Sequence, residues 1–397
     1  MSKNGKPRIE RPGVLNTDQI RELIDCKIIE GWNREKDEDI GKSSFDLHLS
    51  GRYWELPAGI KCRRDSRVID LIERAKGKEK NITKAGLKIR PNGEYVLLFE
   101  LNERVKLSKH FYGQGTGKSS IGRLDILTRL IVDNEEKYDC VCPYKKGTDR
   151  YKNLYVEITP LSFPIKVNKG DPIYQLRISK GDFQKLQIQD EIVHLFSNLM
   201  KHDKGGPVSG EDQTSLRLNL KPTKDGTIAL KAKSINEGLT PLKINAKKPY
   251  YSPEDYWERI TLESKEVIQM NGSPALKVER NAFYILRSKE RFTLPDDIAV
   301  YALAMTEEVG ELRIHHAGFV HPEFGSIRED KRGTPLIFEV RGHDLNMLLR
   351  HGDLMAELKY YPMSLPGKGP EYYEEQELKP SKIFKEFKNE NRNTQDR

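Results

Sequence analysis

Cysteine is scarce: the 397-residue chain has four, Cys26, Cys62, Cys140 and Cys142. So few thiols over such a length exclude a disulfide-stapled scaffold. Cys140 and Cys142 form a C-x-C pair, yet no cysteine follows to complete a tetrahedral zinc site, so they read as reduced thiols near a strand end. Long apolar runs are also missing, which excludes a membrane-spanning helix. The N-terminal MSKNGKPRIERPG lacks the apolar core of a secretory signal, and a cytoplasmic protein is expected. Charge of one sign is nowhere concentrated: the net +8 and pI ≈ 9.0 arise from Lys and Arg interleaved with Asp and Glu. Without a long basic run or an aromatic-rich single-strand motif, no nucleic-acid partner is expected. The surplus suits a small polyanion.

What is present is a soluble-type composition, 36% hydrophobic and 32% charged, in a chain long enough for two domains. Asn16 or Thr17 can cap a helix through Ile20, Leu23 and Ile24, which share one face. Short strand candidates follow at 44–49, 95–100, 154–158, 165–167 and 173–178, separated by turns such as Pro91-Asn92-Gly93 and Asn168-Lys169-Gly170. Many short strands with such punctuation predict a mainly β barrel or sandwich. Helical spacing over 183–200 precedes the linker KHDKGGPVSGEDQTS, and strand alternation restarts at Ser215. The expected division is 1–182, a helix and linker at 183–210, a second β-domain at 211–365, and a tail at 366–397.

The two halves run in parallel. Glu157 is followed by Gly170-Asp171 and Leu176, and Glu339 by Gly352-Asp353 and Leu358; the offsets agree, 170 − 157 = 352 − 339 = 13 and 176 − 157 = 358 − 339 = 19. Glu94–Leu97 matches Phe283–Leu286, and Glu103–Leu107 matches Glu290–Leu294. The β-domain is duplicated.

The most distinctive stretch is GQGTGKSSIGRLDILTRLIVD, from Gly113 to Asp133. Glycines, hydroxyls and cations there can converge on phosphate, or form a flexible turn with solvated side chains. The stretch is one residue short of a P-loop, because the required first glycine falls on Tyr112.

The run KSSIGRLDILTRLIVD, with LYVEITPLSFPIKVNKGDPIYQLRI from Leu154 to Ile178, resembles the dCTP deaminase family, in its long two-repeat bacterial form. The likeness recurs at 283–325, at 339–360 and at the tail, covering most of the chain. It implies a duplicated, dUTPase-like distorted β-barrel with a few short helices. It also implies hydrolytic deamination of dCTP to dUTP and ammonia. By that resemblance Glu157 is the general base and acid, with Ser119 and Arg123 at the water. Lys118, Ser120 and Gly122 bind phosphate, and Asp139 faces the deoxyribose. Tyr373, Gln376 and Lys379 belong to a C-terminal lid. Periodicity alone would make Glu157 a solvent-facing strand residue, and Asp139 could be a plain turn aspartate.

The second copy has TEEVGELR (Thr306–Arg313) where the first has KSSIGR, so only the first looks fit to hold triphosphate. It keeps His316-Ala317-Gly318-Phe319 and Pro322-Glu323-Phe324-Gly325, with His321 where the family tends to have Asp. In related trimers sites sit between neighbouring barrels, so one copy could supply the phosphate loop and another the walls. His321-Pro322-Glu323 has the H-x-E form of zinc deaminases, but no cysteine follows, so no metal ligand and no zinc are expected. Magnesium would ride on the triphosphate. A homo-oligomer, a trimer of two-barrel chains, is expected with dCTP and dUTP as ligands and no membrane partner. Two other readings are a dCTP or dUTP triphosphatase, alone or coupled to deamination, and a silent nucleotide-binding regulator.

Overall fold

The computed structural model describes residues 7–143, 150–193, 196, 199–202, 206–208, 210–234, 238–246, 248–304, 312–314, 318–325, 332–367 and 378–388. The first half closes around one sheet in which Val96–Val105 lies between Lys152–Pro160 and Phe45–Leu56, and Pro172–Lys180 lies between Phe45–Leu56 and Phe111–Gly117. The second half repeats the plan. Phe283–Phe292 pairs with Thr334–Gly342, and Leu354–Pro362 lies between Ser215–Arg217 and Ile298–Ala304. One apolar core fills the first copy and continues across the seam to Leu230, Trp257, Phe283 and Ile285 of the second, and another lies wholly within the second half.

Matching backbone bonds show the duplication atom by atom. Leu49 donates its N–H to the Asp171 carbonyl at 3.1 Å, and Leu218 does the same to Asp353 at 2.8 Å. Gly170 and Gly352 return bonds to Leu49 and Leu218 at 2.8 Å each. Both are left-handed, with φ of 81° and 93°, a conformation glycine adopts without strain. The buried Glu103 accepts the His48 amide at 2.8 Å, and the buried Glu290 accepts the Arg217 amide at 2.7 Å. Such carboxylates substitute for a missing ladder partner beside each copy's strand bulge.

The N-terminal helix runs Thr17–Asp25, and Asn16 and Gln19 cap it reciprocally. Among the described residues, the helical spacing at 183–200 produces single turns, Phe183–Leu186 and Asp190–Val193. Asp182 caps the first of these turns, and Ile188 breaks away to donate to the Tyr360 carbonyl, so tertiary pairing overrides periodicity. The glycines of GQGTG also have another role than the loop reading gave them. They lie inside strand Phe111–Gly117, where a Cβ at Gly115 would stand 2.5 Å from Tyr174 Cε1 and one at Gly113 2.9 Å from Val141 Cβ. Close strand packing explains both.

The copies are tied together along a broad seam. Leu242–Lys243 of the second half lies parallel to Ile165–Val167 of the first. Val14 bridges to Met363, and Ser364 donates to the Val14 carbonyl at 2.7 Å. The fully buried Arg177 donates to the Val300 and Val320 carbonyls at 3.0 and 3.3 Å, with its guanidinium 4.1 Å over the Phe319 ring. The segment carrying Ile383 and Phe384 packs into an aromatic nest of Tyr251, Tyr256 and Trp257.

Candidate active site

Strand Phe111–Gly117 ends at Lys118, whose extended backbone caps a single helical turn, Ser119–Gly122. Gly122 and Arg123 donate to the Lys118 and Ser119 carbonyls at 3.0 Å each, so Ser119 and Arg123 stand one turn apart on one face. The chain then reverses through Asp125, at φ 55°, into strand Ile126–Val132. This loop meets the second copy. Gly117, Ser119 and Arg123 form one side of a cleft, and Phe319, His321 and Glu339 line the other.

Glu339 sits on strand Thr334–Gly342 with its carboxylate 4.0 Å from Arg123 Nε. Burial pushes its pKa up to about 8; Arg123 opposes that rise and Asp125 adds to it. A carboxyl tuned so near neutrality can both take and return a proton. The rest of that wall is tied to the first copy by hydrogen bonds. Ser43 Oγ and His321 Nδ1 are 2.9 Å apart, and Arg177 donates to Ser43 Oγ at 3.1 Å. Burial, with Arg177 and Lys42 nearby, pushes His321 down to about 3, so it is a neutral ring. Lys42 pairs with Glu323 at 2.7 Å. Glu323 itself is left-handed, φ 63°, a conformation uncommon for a residue with a side chain.

The remaining expected residues are distributed unevenly. Lys118 is ion-paired to the buried Asp46, which also accepts from Gln175 at 3.1 Å. The Ser120 carbonyl accepts from Ser381 Oγ at 3.1 Å, which brings the tail against the back of the loop. Lys379 is exposed, 3.8 Å from Glu386, while Tyr373 and Gln376 lie outside the described residues. Asp139 is a turn aspartate at φ 63° whose carboxylate accepts from the Leu130 amide at 2.8 Å and from the Tyr174 hydroxyl. Glu157 is not among the residues lining the cleft. It is half-buried opposite Arg129, and its Oε1 accepts the Ile60 amide at 3.3 Å, so its own loop covers it. Burial raises its pKa. Within one chain Ser119 and Arg123 therefore meet Glu339, the second-copy counterpart of Glu157. The repeat arithmetic equates the two glutamates, and the one that lines this cleft is Glu339.

These features define a class: a tandem of two related β-barrels with a Ser–Arg–Glu cleft shared between them. The chain belongs to the dCTP deaminase family. The family model for the 2'-deoxycytidine 5'-triphosphate deaminase N-terminal domain matches residues 11–182, and that for the C-terminal domain of the same enzyme matches 186–384. Among solved structures, the 2'-deoxycytidine 5'-triphosphate deaminase from Agrobacterium tumefaciens is similar, with a TM-score of 0.77 and 26% identity over 90% of this chain and 97% of that one. No curated protein sequence matches the chain.

Proposed function

We propose that the protein hydrolytically deaminates dCTP to dUTP and ammonia in the cleft between its two copies. Family membership supports the reaction, and the meeting of Ser119, Arg123 and Glu339 supports the choice of residues. In this reading ionised Glu339 takes a proton from water, and the hydroxide adds to C4 of the cytosine ring. Glu339 then returns the proton to the amino nitrogen, ammonia leaves, and the proton of the C4 hydroxyl passes to ring N3 as the carbonyl forms. Arg123, already facing the carboxylate, stabilises negative charge in the adduct, and Ser119 orients the water. Lys118 and Ser120 take the phosphates, Asp46 holding Lys118 at the loop until a triphosphate competes for it. Magnesium arrives on the triphosphate as part of the substrate.

The carboxylate route differs from that of the zinc deaminases in its donors: H-x-E is present at His321–Glu323, but its His321 ring is spent on Ser43 and no cysteine follows in the chain. A triphosphatase reading would need Asp139 free to activate water on phosphorus. Its bonds to Leu130 and Tyr174 disfavour that role. We also propose a homo-oligomer of two-barrel chains acting in the cytoplasm. The test of the reaction is product analysis of dCTP with magnesium and purified protein. Equimolar dUTP and ammonia are expected; dUMP with pyrophosphate, or intact dCTP that still binds, would replace this reading by a triphosphatase or a silent binder.

A further inference from the structure

Two residues away from the Arg123–Glu339 contact there is a second ion pair with reversed polarity. Arg341, on the same face of the strand as Glu339, reaches Asp125, which lies two residues beyond Arg123 in the first copy. Asp125 is fully buried, and it also accepts a bond from Ser162 Oγ; Arg341 Nη1 lies 3.4 Å from that same hydroxyl. The seam thus carries minus and plus on the strand facing plus and minus on the loop. A slip of one copy against the other in one direction would set Glu339 against Asp125, and in the other direction would set Arg341 against Arg123, so either shift brings like charges together. Crossed pairs of this kind select one register more effectively than they add stability.

From this geometry we infer that Asp125 and Arg341 are positioning residues, which set the Glu339 carboxyl against Arg123 across the domain seam. The inference rests on the reading of Glu339 given above. Two observations support a role beyond holding the copies together. The first copy has Thr159 where the second has Arg341 (159 − 157 = 341 − 339 = 2), so the arginine occurs only in the copy whose glutamate lines the cleft. Asp125 also holds a left-handed backbone, φ 55°, unusual for a residue with a side chain, and the surrounding bonds maintain it. The charged or titratable groups around Glu339 are Arg123 and Asp125 from the loop, Arg341 from its own strand, and His321 from the wall, which is uncharged at neutral pH. Among these, Asp125 strengthens the hold of Glu339 on its proton.

The test compares wild type with Asp125→Asn, which keeps groups for Ser162 and Arg341 to bond while removing the charge, and with Arg341→Gln and Arg341→Lys. Glu339 is titrated in the free protein by infrared difference spectroscopy, its carboxyl band identified by its loss in Glu339→Gln. The expected result is a Glu339 titration moved to lower pH in Asp125→Asn. With dCTP, kcat should fall roughly ten- to a hundredfold in Asp125→Asn and Arg341→Gln, the scale of a misplaced catalytic group, while KM changes little. Arg341→Lys should recover part of kcat. Unchanged titration and kcat in variants of lowered thermal stability would overturn the inference and leave a purely structural tie. If wild type does not deaminate dCTP, the infrared shift still decides the positioning claim, and only the reaction reading fails.

Discussion

A carboxyl held at about pH 8 in the folded protein is a liability for stability that can be measured. Its ordinary value is 4.5, so folding raises the proton affinity of Glu339 by more than a thousandfold. At about 1.4 kcal/mol per tenfold, ionising it costs the fold up to roughly 5 kcal/mol. Below pH 4.5 both folded and unfolded chains carry the proton and nothing is lost. Between 4.5 and about 8 the unfolded chain releases it first, so stability falls as pH rises through that window. Glu339→Gln removes the titration. We expect the variant to unfold at a higher temperature or denaturant concentration than wild type at pH 8, by about 2–4 kcal/mol because relaxation and water entry lower the cost of a buried charge, and to match it at pH 4.5. Paired unfolding curves at the two pH values read this directly. A difference that is the same at both, or that favours wild type at pH 8, would refute the argument that burial without full compensation sets the state of this carboxyl.

Other expectations follow from other parts of the fold. Burial works against a charge on His48, but bonds to Asp39 and Glu103 outweigh it and raise the ring to about 9. The raised proton affinity stabilises the fold by roughly 3 kcal/mol below pH 6.5, and that contribution disappears as pH rises through 9. Unfolding of His48→Gln should therefore differ from wild type most at pH 6 and least above pH 9. Gly115→Ala pushes a methyl into the Tyr174 ring, whose hydroxyl bonds Asp139, and should cost about 1–3 kcal/mol in unfolding experiments. Lys118→Ala should raise the KM for dCTP more than it lowers kcat, because the lost contact is to phosphate in ground and transition states alike.

Much of this architecture was legible in the chain. The offsets after Glu157 and Glu339 are the sequence trace of equivalent strands, and the bonds from Leu49 and Leu218 show the same offsets in space. Alternation at Ser44 and turn residues at 168–170 marked a real strand and a real turn, with Gly170 left-handed, although Phe45–Leu49 is buried on both faces rather than one. The family resemblance singles out KSSIGR from the sequence alone. Three things were hidden. Local spacing over 183–200 says helix, but a distant carbonyl at Tyr360 takes the amide. The glycines of GQGTG suggest a ligand cradle, whereas the bulk of Tyr174 and Val141 demands them. Most importantly, residue-by-residue transfer within one copy joins Ser119, Arg123 and Glu157, while packing of one copy on the other joins the first two to Glu339. Which surfaces of a duplicated fold face each other depends on side chains such as Arg177, Asp125 and Arg341, scattered far apart in sequence, and no periodicity reports that.

The central claim, that one cleft per chain uses the carboxylate of the second copy, is tested most directly by ammonia release from dCTP with Glu339→Gln and Glu157→Gln beside wild type. The account predicts a loss of at least about a hundredfold in kcat for Glu339→Gln, the scale of a missing general base, and near wild-type turnover for Glu157→Gln. Loss confined to Glu157→Gln, with Glu339→Gln active, would contradict it.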